Sequence, residues 1–251
     1  TIAAGETVTM EDGVTINQQG WHITVNGSLN AEYEETQEAF VSTGESAAII
    51  IKNGGELNLK NASINLSNYG ADVDVESGGS LSMQGGSLYS NSVSTVAAGG
   101  MLNLTDVEVK KCIAISTHEG ISGSNNTFTG ESFRLSNFTG DTGELLTMFS
   151  DACSEEAYIG ISSLKTCTLA DVSAKLGGGY KLVSTVTIES GNTVTLEEGT
   201  CINQQSYYIN VYGTLKVANE TVADAFVSTT STPIIYVQKG GLVELTNANI
   251  N

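Results

Sequence analysis

The feature that most constrains the fold is an ungapped internal duplication. Residues 6–65 match residues 192–251 at a constant offset, with 27 identical positions out of 60. The longest identical blocks are Ala39–Thr43 and Ala225–Thr229. Because no insertion interrupts the match, the two copies are expected to occupy the same place in a repeating architecture.

This offset defines the expected domain organisation. We interpret residues 1–186 as a first tandem unit, and residues 187–251 as the start of the next unit, continuous with the first. Asn251 aligns with Asn65, and the sequence does not start with Met, so we expect it to be a piece of a longer or processed protein.

A shorter repeat lies inside the unit and is marked by pairs of glycines. Each pair stands between two short runs in which apolar and polar residues alternate, and a third such run follows. Alternation predicts β-strands, and glycine supplies turn conformations with positive φ. The first three pairs recur at nearly equal intervals. The four pairs are Gly54-Gly55, Gly78-Gly79, Gly99-Gly100 and Gly240-Gly241.

This period predicts the coils of a β-solenoid, because one coil cannot bury its own apolar face but stacked coils can. We predict an all-β parallel β-helix of about 21–25 residues per coil with irregular insertions. Leu57, Leu81 and Leu102 should point inward, with Asn58, Ser82 and Asn103 outward. The least regular part is about 117–180, and residues 34–40 are expected to form a loop or short helix.

The Gly-Gly-x-Leu-x-Leu pattern resembles a known family of coils. It is similar to pectate-lyase-like right-handed parallel β-helices, and especially to the repeats of polymorphic outer-membrane proteins and related surface adhesins. The resemblance covers residues 47–112 and 234–251. It implies a right-handed coil and a location that is extracellular or on the cell surface.

Charge and hydropathy exclude two classes of partner. Acidic residues outnumber basic residues by 28 to 10, giving a formal net charge of −18 at pH 7. No nucleic acid partner is expected, because duplex affinity comes from Lys and Arg that neutralise phosphates. No apolar run approaches the ~20 residues of a membrane-spanning helix, so no membrane insertion is expected within this segment.

Few residues suit catalysis or metal binding. His22 and His118 are interpreted as polar surface residues, and no phosphate loop or nucleophile turn is present. We therefore expect no enzymatic activity and no cofactor. Asp72, Asp74 and Glu76 should share one outer face at ~6.7 Å spacing, and such oxygen ligands suit Ca²⁺. The favoured interpretation of this acidic row is a solvated strand face, without a metal.

The four cysteines, at 112, 153, 167 and 201, lack the spacing of zinc sites. Two interpretations stay open. The cysteines are small buried residues of the core, or a Cys153–Cys167 bridge staples the irregular segment in an oxidising compartment.

Seven Asn-x-Ser/Thr sequons are candidates for glycosylation in a eukaryotic source. Asn103 is the most persuasive of them, because its neighbours Leu102 and Leu104 should point inward. Asn61 and Asn247 recur in both copies, and a turn or stacked amide ladder explains them better than a ligand site. The seven candidates are Asn26, Asn61, Asn65, Asn103, Asn125, Asn137 and Asn219.

These sequence features suggest three functions. The favoured one is a non-enzymatic structural or adhesive protein, a stiff rod, stalk or filament of tandem units that contacts neighbouring repeats or self-associates end to end. The alternative is a carbohydrate-binding or polysaccharide-degrading β-helix whose groove includes Trp21, Tyr207 and Tyr208. A third is an attachment spike that oligomerises laterally and contacts host surfaces or surface glycans.

Overall fold

The structure, a computed structural model, describes residues 1–68, 70–150, 153–229 and 234–251. It is a parallel β-solenoid of about 10 turns, with 57% of the chain in strands and 2% in helix. The predicted fold class is therefore confirmed.

The described residues form short strands and one short helix, α1 (Gly143–Leu146). In chain order the strands are β1 (Thr7–Met10), β2 (Ile16–Asn17), β3 (Ile23–Val25), β4 (Ser28–Val41), β5 (Ala48–Ile51), β6 (Glu56–Leu66), β7 (Asp72–Val75), β8 (Ser80–Gln84), β9 (Ser87–Ser90), β10 (Ser94–Val96), β11 (Met101–Thr105), β12 (Glu108–Val109), β13 (Ile113–Thr117), β14 (Ile121–Ser124), β15 (Thr127–Phe128), β16 (Glu131–Asp141), β17 (Tyr158–Ile161), β18 (Leu164–Leu169), β19 (Tyr180–Leu182), β20 (Val186–Ile188), β21 (Thr193–Leu196), β22 (Ile202–Asn203), β23 (Tyr208–Val211), β24 (Thr214–Val227), β25 (Ile234–Val237) and β26 (Leu242–Ile250).

These strands pair in parallel with strands of the preceding and following coils. They form sheets of 10, 13 and 3 strands. In the largest sheet, β3, β5, β7, β10, β13, β16, β17, β19 and β22 follow one another along the solenoid, one strand per coil. The ladders therefore run along the axis of the solenoid.

The interior is a set of stacked apolar columns. Leu57 pairs with Leu81, and Leu81 pairs with Leu102, so the three side chains lie above one another. Each of them is at most 2% exposed, whereas Asn103, which alternates with Leu102, is exposed. The predicted inward column is confirmed.

The two glycines of each pair have different roles. The first glycine has a left-handed backbone, with φ of 76° at Gly54 and 79° at Gly78. The second must lack a side chain, because a Cβ on Gly55 would lie 2.1 Å from the backbone oxygen of Val25 in the preceding coil. The sequence pattern predicted only the first role, and the close approach of successive coils explains the second.

The coils vary more in length than the predicted range. The coil that runs from Leu102 to its partner Ile121 is shorter than predicted, and the coil from Ser28 to its partner Glu56 is longer. The prediction of a loop or helix at residues 34–40 was wrong, because these residues belong to β4. β4 accommodates them through a shift in its register with β6 between Glu32 and Gln37.

Residues 117–180 continue the solenoid through β14–β18 and include α1. Three phenylalanines whose spacing fits no simple period belong to separate ladders. Phe128 pairs with Val109 and Phe133 with Ile113, and Phe138 pairs with Leu164. The rings of Phe128 and Phe133 both contact Phe149, with centroids 4.9 and 5.5 Å apart. Side chains from two successive coils therefore build one aromatic cluster, which the local spacing does not reveal.

The two copies of the duplication pair in the same register. Thr7 pairs with Ser28 in the first copy, and Thr193 pairs with Thr214 in the second. Asn61 and Asn247 both have left-handed backbones, with φ of 52° and 51°. The amide of each donates to carbonyls of the preceding coil, Asn61 to Tyr33 at 3.0 Å and Asn247 to Asn219 at 2.9 Å. These asparagines therefore have a structural role at left-handed positions within β6 and β26.

We predict that Leu81→Ala lowers the free energy of unfolding by about 2–5 kcal/mol, because it opens a cavity in a column that two other coils complete. The matched control is Ser82→Ala, whose side chain faces outward and should change stability by less than ~0.5 kcal/mol. Urea unfolding followed by circular dichroism measures both. Equal effects of the two substitutions would contradict the inward column.

Candidate functional site

The acidic row lies on an outer face, as the alternation predicts. Asp72 and Asp74 of β7 are half-buried, and the valines between and after them are buried. Glu76 forms an ion pair with Lys52 of the preceding coil. No cluster of His, Cys, Asp and Glu suited to a metal ion occurs among the described residues.

The surroundings of Asp72 and Asp74 disfavour the negative charge of their carboxylates. Burial, followed by the charge of Asp74, raises the pKa of Asp72 to about 6, and the charge of His22 partly opposes the shift. Burial also raises the pKa of Asp74, against the hydrogen bond from Thr95 and the charge of Lys52. A raised pKa means that folding disfavours the charged carboxylate.

The predicted sequon asparagines differ in accessibility. Asn103, Asn125 and Asn137 are exposed, and Asn26, Asn61 and Asn65 are half-buried. Asn219 is 5% exposed, and its amide contacts the backbone of Gly199 and Asn247 at 3.3 Å each. The three exposed positions are therefore the most accessible to a glycan, and glycosylation itself stays a prediction.

Cys167 lies in β18, and the other three cysteines lie in segments between the elements. Cys112 and Cys167 are buried thiols, whereas Cys153 and Cys201 are half-buried. The thiol of Cys153 donates to the Asn126 carbonyl at 3.7 Å. Burial raises the pKa of Cys167 to about 12, so this thiol stays protonated at neutral pH. A Cys153–Cys167 bridge stays a prediction.

The two histidines and the predicted aromatic residues do not converge. The charge of His22 acts on Asp72, whereas His118 accepts a hydrogen bond from the backbone of Asp141 at 3.1 Å. Trp21 is 77% exposed, in the first copy of the duplication. Tyr207 lines a surface cavity that does not include Trp21.

A groove on one side of the solenoid was not predicted from the sequence. It comprises two neighbouring cavities of about 650 and 300 Å³, and Tyr158 lines both of them. We call it the lateral groove. Its lining comes from successive coils, at 91–93, 110–112, 129–131 with 134, 156 with 158, 181–183 and 205–207. The groove therefore crosses the coils in the direction of the axis.

Basic side chains are concentrated in the lateral groove. Four of the ten basic residues of the chain line it, Lys110, Lys111, Arg134 and Lys181. Its lining includes two acidic residues, Glu131 and Glu156. In a chain of net charge −18, this groove is a local concentration of positive charge.

Arg134 is held in place by a bidentate ion pair. Its Nε and Nη2 donate to the two carboxylate oxygens of Glu131 at 2.9 and 2.7 Å. The hydrogen bond with Glu131 raises the pKa of Arg134. Two of the five N–H donors of a guanidinium are used in this way, which leaves the others for a ligand.

The register places Arg134 and Lys181 in one outward column. Arg134 pairs with Gly160, which pairs with Lys181. A Cβ on Gly160 would lie 2.0 Å from the Glu131 carboxylate, so the glycine leaves room for the ion pair. The ammonium of Lys181 lies 4.2 Å from the centre of the Tyr158 ring. These side chains form one continuous polar surface.

The buried thiol of Cys112 also lines the lateral groove. Burial raises its pKa, and the charge and hydrogen bond of Glu131 raise it further. A protonated thiol is a poor nucleophile. The lateral groove therefore offers cationic donors for binding an anion, and its cysteine is unsuited to nucleophilic attack at neutral pH.

One sequence signal could have located the lateral groove. Lys111, Arg134, Tyr158 and Lys181 follow one another at nearly equal intervals of one coil length each. In sequence they are isolated residues of different types. They come together because each coil returns the chain to the same side of the solenoid.

Comparisons with known proteins assign no family. A scan against protein-family models, a search of curated proteins and a search of solved structures each found no match. The likeness to adhesin repeats therefore stays a resemblance of the repeat pattern. Within the part of the chain that the structure describes, no helix is long and apolar enough to cross a membrane.

We predict that Asp72→Asn stabilises the protein at pH 7 and has little effect at about pH 4. Folding raises the pKa of Asp72 from 3.8 to about 6. The protonated side chain therefore contributes its full stability below pH 3.8, and this contribution is lost as the pH rises through about 6 and the carboxylate becomes charged. Melting temperatures between pH 4 and 7 test this expectation. The control is Glu11→Gln, which removes the same charge from an exposed turn. Identical pH profiles for the two variants would contradict it.

Proposed function

We propose that the chain is a non-enzymatic structural or adhesive protein, in which tandem units equivalent to residues 1–186 form a stiff extracellular or cell-surface rod. The observation that carries the proposal is that both copies of the duplication form the same strands, paired in the same register, along one solenoid.

Equivalent residues of the two copies differ in how much of their side chains is exposed. Leu59 is 4% exposed and Ile64 is fully buried, whereas Leu245 and Ile250 at the equivalent positions are 38% and 46% exposed. In the first copy the covering coil supplies Met83 opposite Leu59 and Leu88 opposite Ile64. A coil of the same kind, stacked on residues 242–250, would bury this apolar surface.

Continuous ladders would make such a stack stiff. Each coil advances the rod by about 4.8 Å, the distance between paired strands, so ten coils span roughly 50 Å. The backbone groups of each coil are engaged by its two neighbours, and stability is then a sum over neighbouring coils. Further units would lengthen the rod without changing its cross-section.

The surface chemistry is consistent with an exposed setting. The net charge of −18 favours solubility and discourages lateral association of identical rods. Contacts are then expected at coil ends, where unpaired strand edges accept another strand. End-to-end association of two copies and contact with a following unit use this same surface.

A second candidate function, binding of carbohydrate, is supported by the lateral groove. The groove is shallow, polar and lined by Tyr158 and Tyr207. Aromatic side chains with a polar end are common in binding sites that are partly wet. A rod that carries such a groove on its side would be an adhesive rod, so the two candidates are compatible.

The rod is tested by extending the chain. Residues 66–186 are joined after Asn251, the position equivalent to Asn65, so that a second unit is complete. We expect the melting temperature to rise by at least about 3 °C, because the uncovered coil becomes buried. Small-angle scattering should show a maximum dimension longer by roughly 25 Å at an unchanged cross-section.

The control is the same extension with Asn at the added positions equivalent to Leu81 and Leu88. This variant has equal length but cannot complete the apolar columns. An intact extension that behaves like the control, or that increases the cross-section, would contradict the rod.

A further inference from the structure

The direction of the lateral groove indicates the shape of its ligand. Phe128 in one coil pairs with Val109 in the preceding coil, and Glu131 pairs with Tyr158 in the following coil. Six successive segments of the lining are arranged in this way, at a spacing of about 4.8 Å. The groove therefore suits an extended chain that lies along the axis, in contact with several coils at once.

The charges of the groove indicate the sign of the ligand. Arg134 and Lys181 are two strand spacings apart, about 10 Å, with Gly160 between them. Lys111 is exposed in the preceding part of the groove. Lys110 is partly neutralised by Glu108 at 3.2 Å, and Arg134 by Glu131 at 2.7 Å. Glu156 offsets part of the charge of the groove, and the positive charge that remains lies on Lys111 and Lys181 at two places along a line, which suits a polymer with anionic groups at intervals.

The backbone argues against an extended peptide as the ligand. A peptide binds a sheet through its edge, where backbone donors and acceptors are open. The lateral groove instead crosses strands that are paired on both sides, since β17 pairs with both β16 and β19. The groove therefore offers side chains and few backbone partners.

The side chains fit a sugar chain. The lining includes Ser92, Thr129 and Ser206, whose hydroxyls can donate to and accept from sugar hydroxyls. Tyr158 and Tyr207 add aromatic surface with a polar end. Cationic groups, hydroxyls and tyrosines along one line match a polysaccharide that carries carboxylate or sulfate groups.

We propose that the lateral groove binds a linear anionic glycan, with Lys111, Arg134 and Lys181 as the anion contacts. This inference names a ligand class for the second candidate function, and it does not depend on tandem stacking. If no anionic glycan binds, the rod proposal is therefore unaffected. If the extended chain is not stabilised, the glycan proposal is unaffected.

Binding is measured by isothermal titration calorimetry with four polymers. These are heparin as the sulfated glycan, alginate as the carboxylated glycan, dextran as the neutral glycan and poly-glutamate as the acidic peptide. We expect heparin, alginate or both to bind, more weakly as salt increases, because the contacts are ionic. The two anionic glycans distinguish sulfate from carboxylate recognition.

The decisive variant is Lys111→Gln/Lys181→Gln, which should weaken glycan binding at least about tenfold. The control is Lys52→Gln/Lys60→Gln, which removes the same charge outside the groove and should stay within about twofold. Glu131→Gln removes a negative charge beside Arg134 and should strengthen binding, a gain that misfolding would not produce.

Several outcomes would overturn the proposal. These are no binding of either anionic glycan, equal binding of dextran, equal losses in the two lysine variants, or loss of affinity in Glu131→Gln. Binding of poly-glutamate as tight as that of the glycans would assign the groove to an acidic peptide instead.

Discussion

The structure depends on the vertical alignment of equivalent side chains in successive coils. Parallel pairing places Leu57, Leu81 and Leu102 above one another, and no single coil could bury any of them alone. The same alignment explains the glycine pairs, because the second glycine lets the next coil approach the backbone of the previous one. The duplication preserves it, since both copies pair in the same register.

Much of this arrangement could be predicted from the sequence, because its signals are local. The alternation around Leu81 and the glycine pair beside it lie within a few residues, and they were sufficient to predict strands, turn and inward column. The course of residues 34–40 was not predictable in this way, because pairing with β6 decides it. Phe128, Phe133 and Phe149 likewise form a cluster only after the chain has coiled.

The candidate site was likewise predictable from the sequence only in part. The outer position of Asp72 and Asp74 follows from alternation along one strand, and it was predicted. Their raised pKa values depend on burial by neighbouring coils, which alternation does not report. The lateral groove was missed because Arg134 and Lys181 are distant in the chain but only two rungs apart in the ladder. A search for residues that recur at one coil length would have found them.

The orientation of the ladders has a mechanical consequence. Hydrogen bonds between coils point along the axis, so a pulling force on the ends loads the bonds of one coil at a time. A detached coil of about 20–25 residues would then release roughly 65–90 Å of extended chain, in place of the ~4.8 Å that it spans when folded. A protein of this design would therefore yield to tension in discrete steps.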